Sequence, residues 1–172
     1  MTPYALTLDP GGIKDLRTAD HRLHELAAEL RLPKDVFGCT HLIRGDRPRV
    51  ALSLVLPSEP LLRTARERLT AAGHGTLSPG LPDEVGRAVL YPGVTALTGT
   101  LTVGELIAGS AIDRVTVLGT PRPPDPGTRM VTRSHVRPQW RHGELVLAAT
   151  PAMGGTLVPF EVPDPTPCCA DH

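Results

Sequence analysis

The last five residues, Cys168-Cys169-Ala170-Asp171-His172, bring two thiols, a carboxylate and an imidazole into one short run. These are the ligand types that zinc and related transition metals take. Neighbouring side chains on an extended chain point to opposite sides, so the run alone does not close a tetrahedron. Cys39 and His41 are the natural completing ligands, because two residues apart on an expected strand they share a face. A zinc site would therefore use Cys168, Cys169, His172 and Asp171 with Cys39 or His41, the tail folding back onto the domain. Four protein ligands would make the site structural, whereas three would leave a position for an activated water and a hydrolytic step. The competing reading makes Cys39 a small buried hydrophobe and His41 a satisfied core imidazole, since Phe37 and Ile43 lie on the same face. The tail is then a solvated terminus.

Two further clusters have the right chemistry. His21, His24 and Glu25 are spaced to share one side of a helix, where they could bind metal or act as acid and base. A plain solvated helix face explains the same spacing. Arg129, Arg133, Arg137 and Arg141 recur around His135 and Trp140. On an expected strand, Met130 to Val136, Arg129 and Arg133 would fall beside His135 and could hold a phosphate or carboxylate. A charged sheet edge explains that stripe equally well. Several signatures fail outright: no Gly-Lys-Ser/Thr follows a glycine-rich loop, and there is no Gly-x-Ser-x-Gly. His74-Gly75-Thr76 is a single His-x-Thr without the second copy a small phosphoesterase would need.

The elements that must position these residues read from periodicity. Tyr4 to Leu8 is an expected strand, closed by Asp9-Pro10-Gly11-Gly12. Leu23, Leu26, Ala27 and Leu30 form one apolar stripe of a helix from near Thr18 to Arg31, ended by Pro33. Val36 to Ile43 and Arg49 to Leu56 are expected strands around a turn at Arg44 to Pro48. Ser58 and Pro60 open a second helix, whose Leu61, Ala65, Leu69 and Ala72 line a face before Gly73 ends it. Later strands are expected at Arg87 to Tyr91, Val94 to Leu101, Asp113 to Leu118, Met130 to Val136, Glu144 to Ala149 and Thr156 to Val162. Thr102 and Glu105 form a capping box for a short helix ending at Gly109. The fold class that follows is α+β: a β-α-β-β-α N-terminal half, with helices on one face of a mostly antiparallel sheet, then a strand-rich C-terminal half. One domain over 1–172 is expected, with lobes at 1–78 and 79–172, a proline-rich loop at 120–128 and a tail at 163–172.

Composition narrows the function classes. Eighteen basic residues balance eighteen acidic ones, and aromatics are 3%, so neither a polyanion field nor stacking platforms for nucleic acid are expected. No apolar run approaches the roughly 18 residues of a membrane span, and the N-terminus lacks a signal-peptide pattern. Three cysteines are too few for a secreted disulfide framework, which points to the cytoplasm. All basic residues but Lys14 and Lys34 are arginine, which suggests a GC-rich bacterial genome. The sequence thus points to a small cytosolic metal-binding protein, with zinc the expected ion. Two other classes stay open. One is a metal-free adaptor, meeting a protein partner or a second copy of itself. The other is a small biosynthetic enzyme, its histidines working in a pocket between the lobes and its arginines holding a small anionic ligand.

Overall fold

Residues 4–163 are described by the structure, a computed structural model. Their elements run β1 (Ala5–Asp9), α1 (Leu16–Glu29), β2 (Phe37–Ile43), β3 (Arg49–Val55), α2 (Glu59–Ala72), β4 (Thr76–Pro79) and β5 (Arg87–Leu90). There follow β6 (Thr100–Thr102), α3 (Val103–Ala108), β7 (Arg114–Val117), β8 (Arg129–Val131), β9 (Gln139–Arg141), β10 (Glu144–Ala152) and β11 (Thr156–Pro159). The class is mixed α+β and strand-rich. All eleven described strands join one sheet, ordered β4-β1-β3-β2-β5-β9-β10-β11-β8-β6, with β7 paired to β10. Pairing is antiparallel except for β10 with β7 and β11 with β8.

Local chemistry accounts for most boundaries. The Asp15 carboxylate accepts the Thr18 N–H at 2.8 Å and so caps α1. Gly73, at φ 68°, supplies the left-handed residue that ends α2. Thr102 and Glu105 satisfy each other's backbone donors, at 3.1 and 3.2 Å, and start α3. The proline-rich loop adds to this cap, because the carbonyls of Pro126 and Thr128 accept from Gly104 and Val103. His142 and Gly143, at φ 52° and 80°, make the tight turn of the β9–β10 hairpin.

Two expectations change. Val94 to Leu101 is not a continuous strand: Val94 and Ala96 donate to Tyr91 and Gly93, forming a 3-10 turn that leaves only Thr100–Thr102 extended. The strand expected from Met130 to Val136 stops at Val131, because Arg133 and Ser134 sit at φ 56° and 52° and reverse the chain. Two strands give no usable pattern. β4 is exposed except at half-buried Leu77, and β9 has only three residues, too few to show an alternation.

The sheet separates two cores by alternation along its strands. On one face α1 and α2 cover β1, β3 and β2, enclosing Leu6, Leu8, Leu23, Leu26, Leu52, Leu54 and Leu69. On the other lie Cys39, Ala88, Leu145, Leu147 and Val115, packed with Leu106 of α3 and Tyr91. Register then sets a row across the helix-bearing face. Leu52 pairs with Thr40, Thr40 with Arg87, Arg87 with Gln139, Gln139 with Val146, and Val146 with Arg114. The helical cover ends part-way along this row: Arg87 is still buried against Asp20, and beyond it the row runs through half-buried Gln139 and buried Val146 to exposed Arg114.

The second core is closed by a tight approach. Gly93 has φ 87°, and a Cβ there would meet the Gly109 carbonyl and lie 2.6 Å from Ser110 Cα. Gly93→Ala should destabilise the fold by about 2–4 kcal/mol in chemical denaturation, from left-handed strain plus overlap with backbone. Gly99→Ala, at φ 65° but with nothing within 4 Å of the new Cβ, should cost only about 1 kcal/mol. Equal losses at the two sites would show that close packing against α3 does not matter.

Candidate functional site

Arg87 lies in β5 among apolar neighbours and is 6% exposed. A guanidinium carries five donors and is always charged, so burial there demands acceptors of opposite charge. They come from far along the chain. Asp20 of α1 takes Nη1 at 2.6 Å and Nη2 at 3.0 Å, a bidentate pair. Glu161, just past β11, takes Nε at 2.8 Å and a second, shorter bond from Nη2. The Thr40 hydroxyl accepts from Nη1 at 3.2 Å. Arg137 Nε donates to Asp20 at 3.1 Å, and His135 Nε2 meets Glu161 at 3.0 Å.

The electrostatics follow from this enclosure. Burial alone would raise the pKa of Asp20, but hydrogen bonds and charge from Arg87, helped by Arg137, hold the carboxyl below its ordinary value of 3.8. Burial opposes Glu161 in the same way, and Arg87 with His135 reverses it, so this carboxyl also lies below its ordinary 4.5. Burial would likewise favour losing the Arg87 proton; its two carboxylate partners overcome that and raise its pKa. The segment that brings His135 and Arg137 is itself pinned. Thr132 bonds the Gly99 carbonyl through both N and Oγ1, and the buried Tyr91 hydroxyl donates to Val136 at 2.9 Å.

Two clefts open beside this cluster on the uncovered sheet face. One, about 590 Å³, is lined by Thr40, Leu42, Arg44, Glu84, Arg87 and Arg141 among others. The second, about 300 Å³, is lined by Arg114, Leu118, Arg137, Val146 and Phe160. It forms where β9 and β11 leave the same edge of β10: β9 pairs residues 144–146 and β11 pairs 149–152. Gln139, Arg141 and Glu161 line both clefts.

The other candidates are placed as follows. Cys39 is buried, and burial pushes its thiol up to about 12, with Trp140 and Ser53 as hydrogen-bond neighbours. His41 is also buried, and both its ring nitrogens are engaged. Nδ1 donates to the Glu84 carbonyl at 3.0 Å, and Nε2 accepts from the Ser53 hydroxyl at 2.7 Å. In this arrangement the His41 ring has no unengaged nitrogen and the Cys39 thiol is closed off from solvent. Cys168, Cys169, Asp171 and His172 lie outside the described residues. Among the described residues no three His, Cys, Asp or Glu side chains group to hold a metal ion, and no helix is long and apolar enough to cross a membrane.

His21 pairs with Glu25 at 2.9 Å, and Glu25 also binds Arg22 at 2.9 Å, all on the outer side of α1. His24 is within electrostatic reach of His21 but also of Arg137 and Asp20, and burial and the Arg137 charge lower its pKa. Arg129 and Arg133 do not share a face with His135. Arg129 is exposed on β8 and Arg133 is exposed in the left-handed turn, so the expected stripe is broken. Of that group only His135 and Arg137 reach the cluster. Asp20, Thr40, Arg87 and Glu161 were not singled out by motif. The available signal was phase: Asp20 sits three residues before Leu23 on the apolar stripe, and Arg87 precedes the apolar run Ala88 to Leu90. A lone charge at a buried-phase position implies a partner elsewhere. In comparisons with protein families, curated proteins and solved structures, nothing matches this chain.

Asp20→Ala should cost about 3–5 kcal/mol, because Arg87 and Arg137 then lose their shared buried counter-charge. The pH dependence has a fixed sign. Carboxyls with lowered native pKa contribute stability that is present above their unfolded values and lost as pH falls through the native ones. Urea midpoints should therefore fall steeply below about pH 5, with a shallower acid limb in Asp20→Asn. An unchanged acid limb would remove the cluster from the account of acid stability.

Proposed function

We propose that the protein binds a small anionic molecule with an apolar portion in the paired clefts on the uncovered sheet face. The observation that carries this reading is the composition of the rim around the closed Arg87 cluster. Arg44 and Arg141 stand over the larger cleft, whose carboxylates are Glu84 and Glu161, the latter already taken by Arg87 and His135, and Arg44 has no hydrogen-bonded partner among the described residues. Around them Leu42, Leu118 and Phe160 are 50%, 47% and 62% exposed. Water-facing large apolar side chains beside guanidiniums suit a ligand that offers an oxyanion at one end and hydrocarbon at the other.

Each guanidinium does a different job. Arg87 and Arg137 are held rigid by Asp20, which preorganises the floor. Arg141, oriented by Gln139 at 2.7 Å, is placed to contact the ligand from the rim. Arg114 is shared with Glu144 at 2.8 Å and sits at the far end of the smaller cleft.

Isothermal titration with succinate, benzoate and inorganic phosphate tests the reading. At least one probe should bind, more weakly as salt is raised. Replacing Arg44 and Arg141 together by alanine should weaken binding by about tenfold, near 1.4 kcal/mol, while leaving the fold intact. Absence of binding, or binding indifferent to both arginines, overturns it.

A second reading belongs to the terminal thiols. Glu161, held by Arg87 and His135, is seven positions before Cys168, so the chain leaves for the tail from an anchored point beside the clefts. We infer zinc binding by Cys168, Cys169 and His172, with Asp171 as ligand or orienting group and a completing ligand from the body of the fold, for which Cys39 or His41 would have to leave its present partners. Tag-free protein should contain zinc at one per chain, and chelation should raise thiol reactivity. Cys39 is buried, so a change in fast-reacting thiols reports on the tail pair. Zinc-free protein whose thiols ignore added zinc would end this reading.

A further inference from the structure

Arg87 offers two hydrogen-bonding edges, and the chain fills them in different ways. The inner edge is taken by Asp20, which sits on a helix, is 8% exposed and is clamped a second time by Arg137. The outer edge, Nε with Nη2, is taken by Glu161, which His135 also holds at 3.0 Å but whose side chain is 33% exposed and lines both clefts. Glu161 also has weaker backbone support. The ladder between β11 and β10 ends with the Phe160 N–H on the Ala148 carbonyl at 2.9 Å, and residue 161 makes no backbone hydrogen bond beyond it among the described residues.

We propose that the outer edge of Arg87 is a carboxylate subsite, filled from within by Glu161, and that a carboxylate-bearing ligand of the clefts enters by taking this edge from it. The inference rests on the ligand-binding reading of the clefts and names the chemical class of the ligand. Side-on pairing of a planar oxyanion with the guanidinium fork is already displayed by Glu161 itself. Charge selects between oxyanions. Without Glu161, Arg87 and Arg137 against Asp20 leave one positive charge at a largely buried place, which a carboxylate monoanion neutralises and a phosphate dianion exceeds. A tethered carboxylate competes at an effective concentration of about millimolar or higher, so simple carboxylates should bind the intact protein weakly.

The test is rescue of a vacated edge. Full-length Glu161→Ala should have a lowered thermal midpoint that formate and acetate restore, at concentrations about tenfold below those acting on the parent protein. Sodium chloride at matched ionic strength should not restore it, and inorganic phosphate should do so less well. Where Glu161→Ala does not fold, Glu161→Gln keeps the side-chain volume and should show the same order of anions with a smaller rescue. No rescue in either variant overturns the proposal, as does equal rescue by chloride or phosphate. A parent protein that binds succinate or benzoate while Glu161→Ala gains nothing from formate overturns this inference and leaves the cleft reading standing. Rescue in a protein whose parent form binds none of the probes upholds the carboxylate subsite and overturns the cleft reading.

Discussion

A guanidinium taken out of water in the middle of a sheet, with that of Arg137 beside it, imposes a condition on the rest of the chain: two carboxylates must reach the pair. In this protein they come from α1 and from the segment after the last described strand, 67 and 74 positions away from Arg87. Supplying only one would leave an uncompensated charge at low dielectric, which is worse by several kcal/mol than having no charge there. Tertiary closure and charge neutralisation therefore happen together. The helix cannot settle on the sheet without bringing Asp20 to Arg87, and β11 cannot dock without bringing Glu161.

Register converts this condition into a site. Because Thr40, Arg87 and Gln139 are directly paired across β2, β5 and β9, their side chains stand in one row on one face. The helical layer covers the β2 end of that row and not the β10 end. The cluster thus marks the boundary between a face sealed by hydrocarbon and the same face left open. Polar residues cannot be buried cheaply without partners, and at this boundary partners from both sides are available.

Much of the architecture was legible from pattern. The apolar stripe of α1, the cap of α3, the Gly73 stop and the first hairpin all arise from local rules, and local rules act where the sequence can be read. The candidate site was largely illegible for the converse reason. Thr40, Asp20, Arg87 and Glu161 form no motif, and only long-range docking joins them. Local pattern also misled where backbone sterics intervened. The run around Arg133 alternates well enough for a strand, yet two left-handed residues turn it, and that turn is what sends His135 and Arg137 inward instead of along an edge. Cys39 and His41 do share a face, as spacing alone requires; what spacing could not show is that Ser53 and the Glu84 carbonyl already satisfy the imidazole.

The division between floor and rim has a consequence for recognition. Arg87 and Arg137 with Asp20 and Glu161 sum to no net charge, so the closed cluster exerts little field on an approaching anion. Attraction at a distance must come from Arg44 and Arg141, which face water and are weakened by salt. Selectivity must come from the floor, where desolvation makes any mismatch in charge or shape expensive. A ligand held at both levels has to satisfy a loose electrostatic requirement first and a strict geometric one second. Glu161 stands at the point where the two meet, since it closes the floor and lines both clefts.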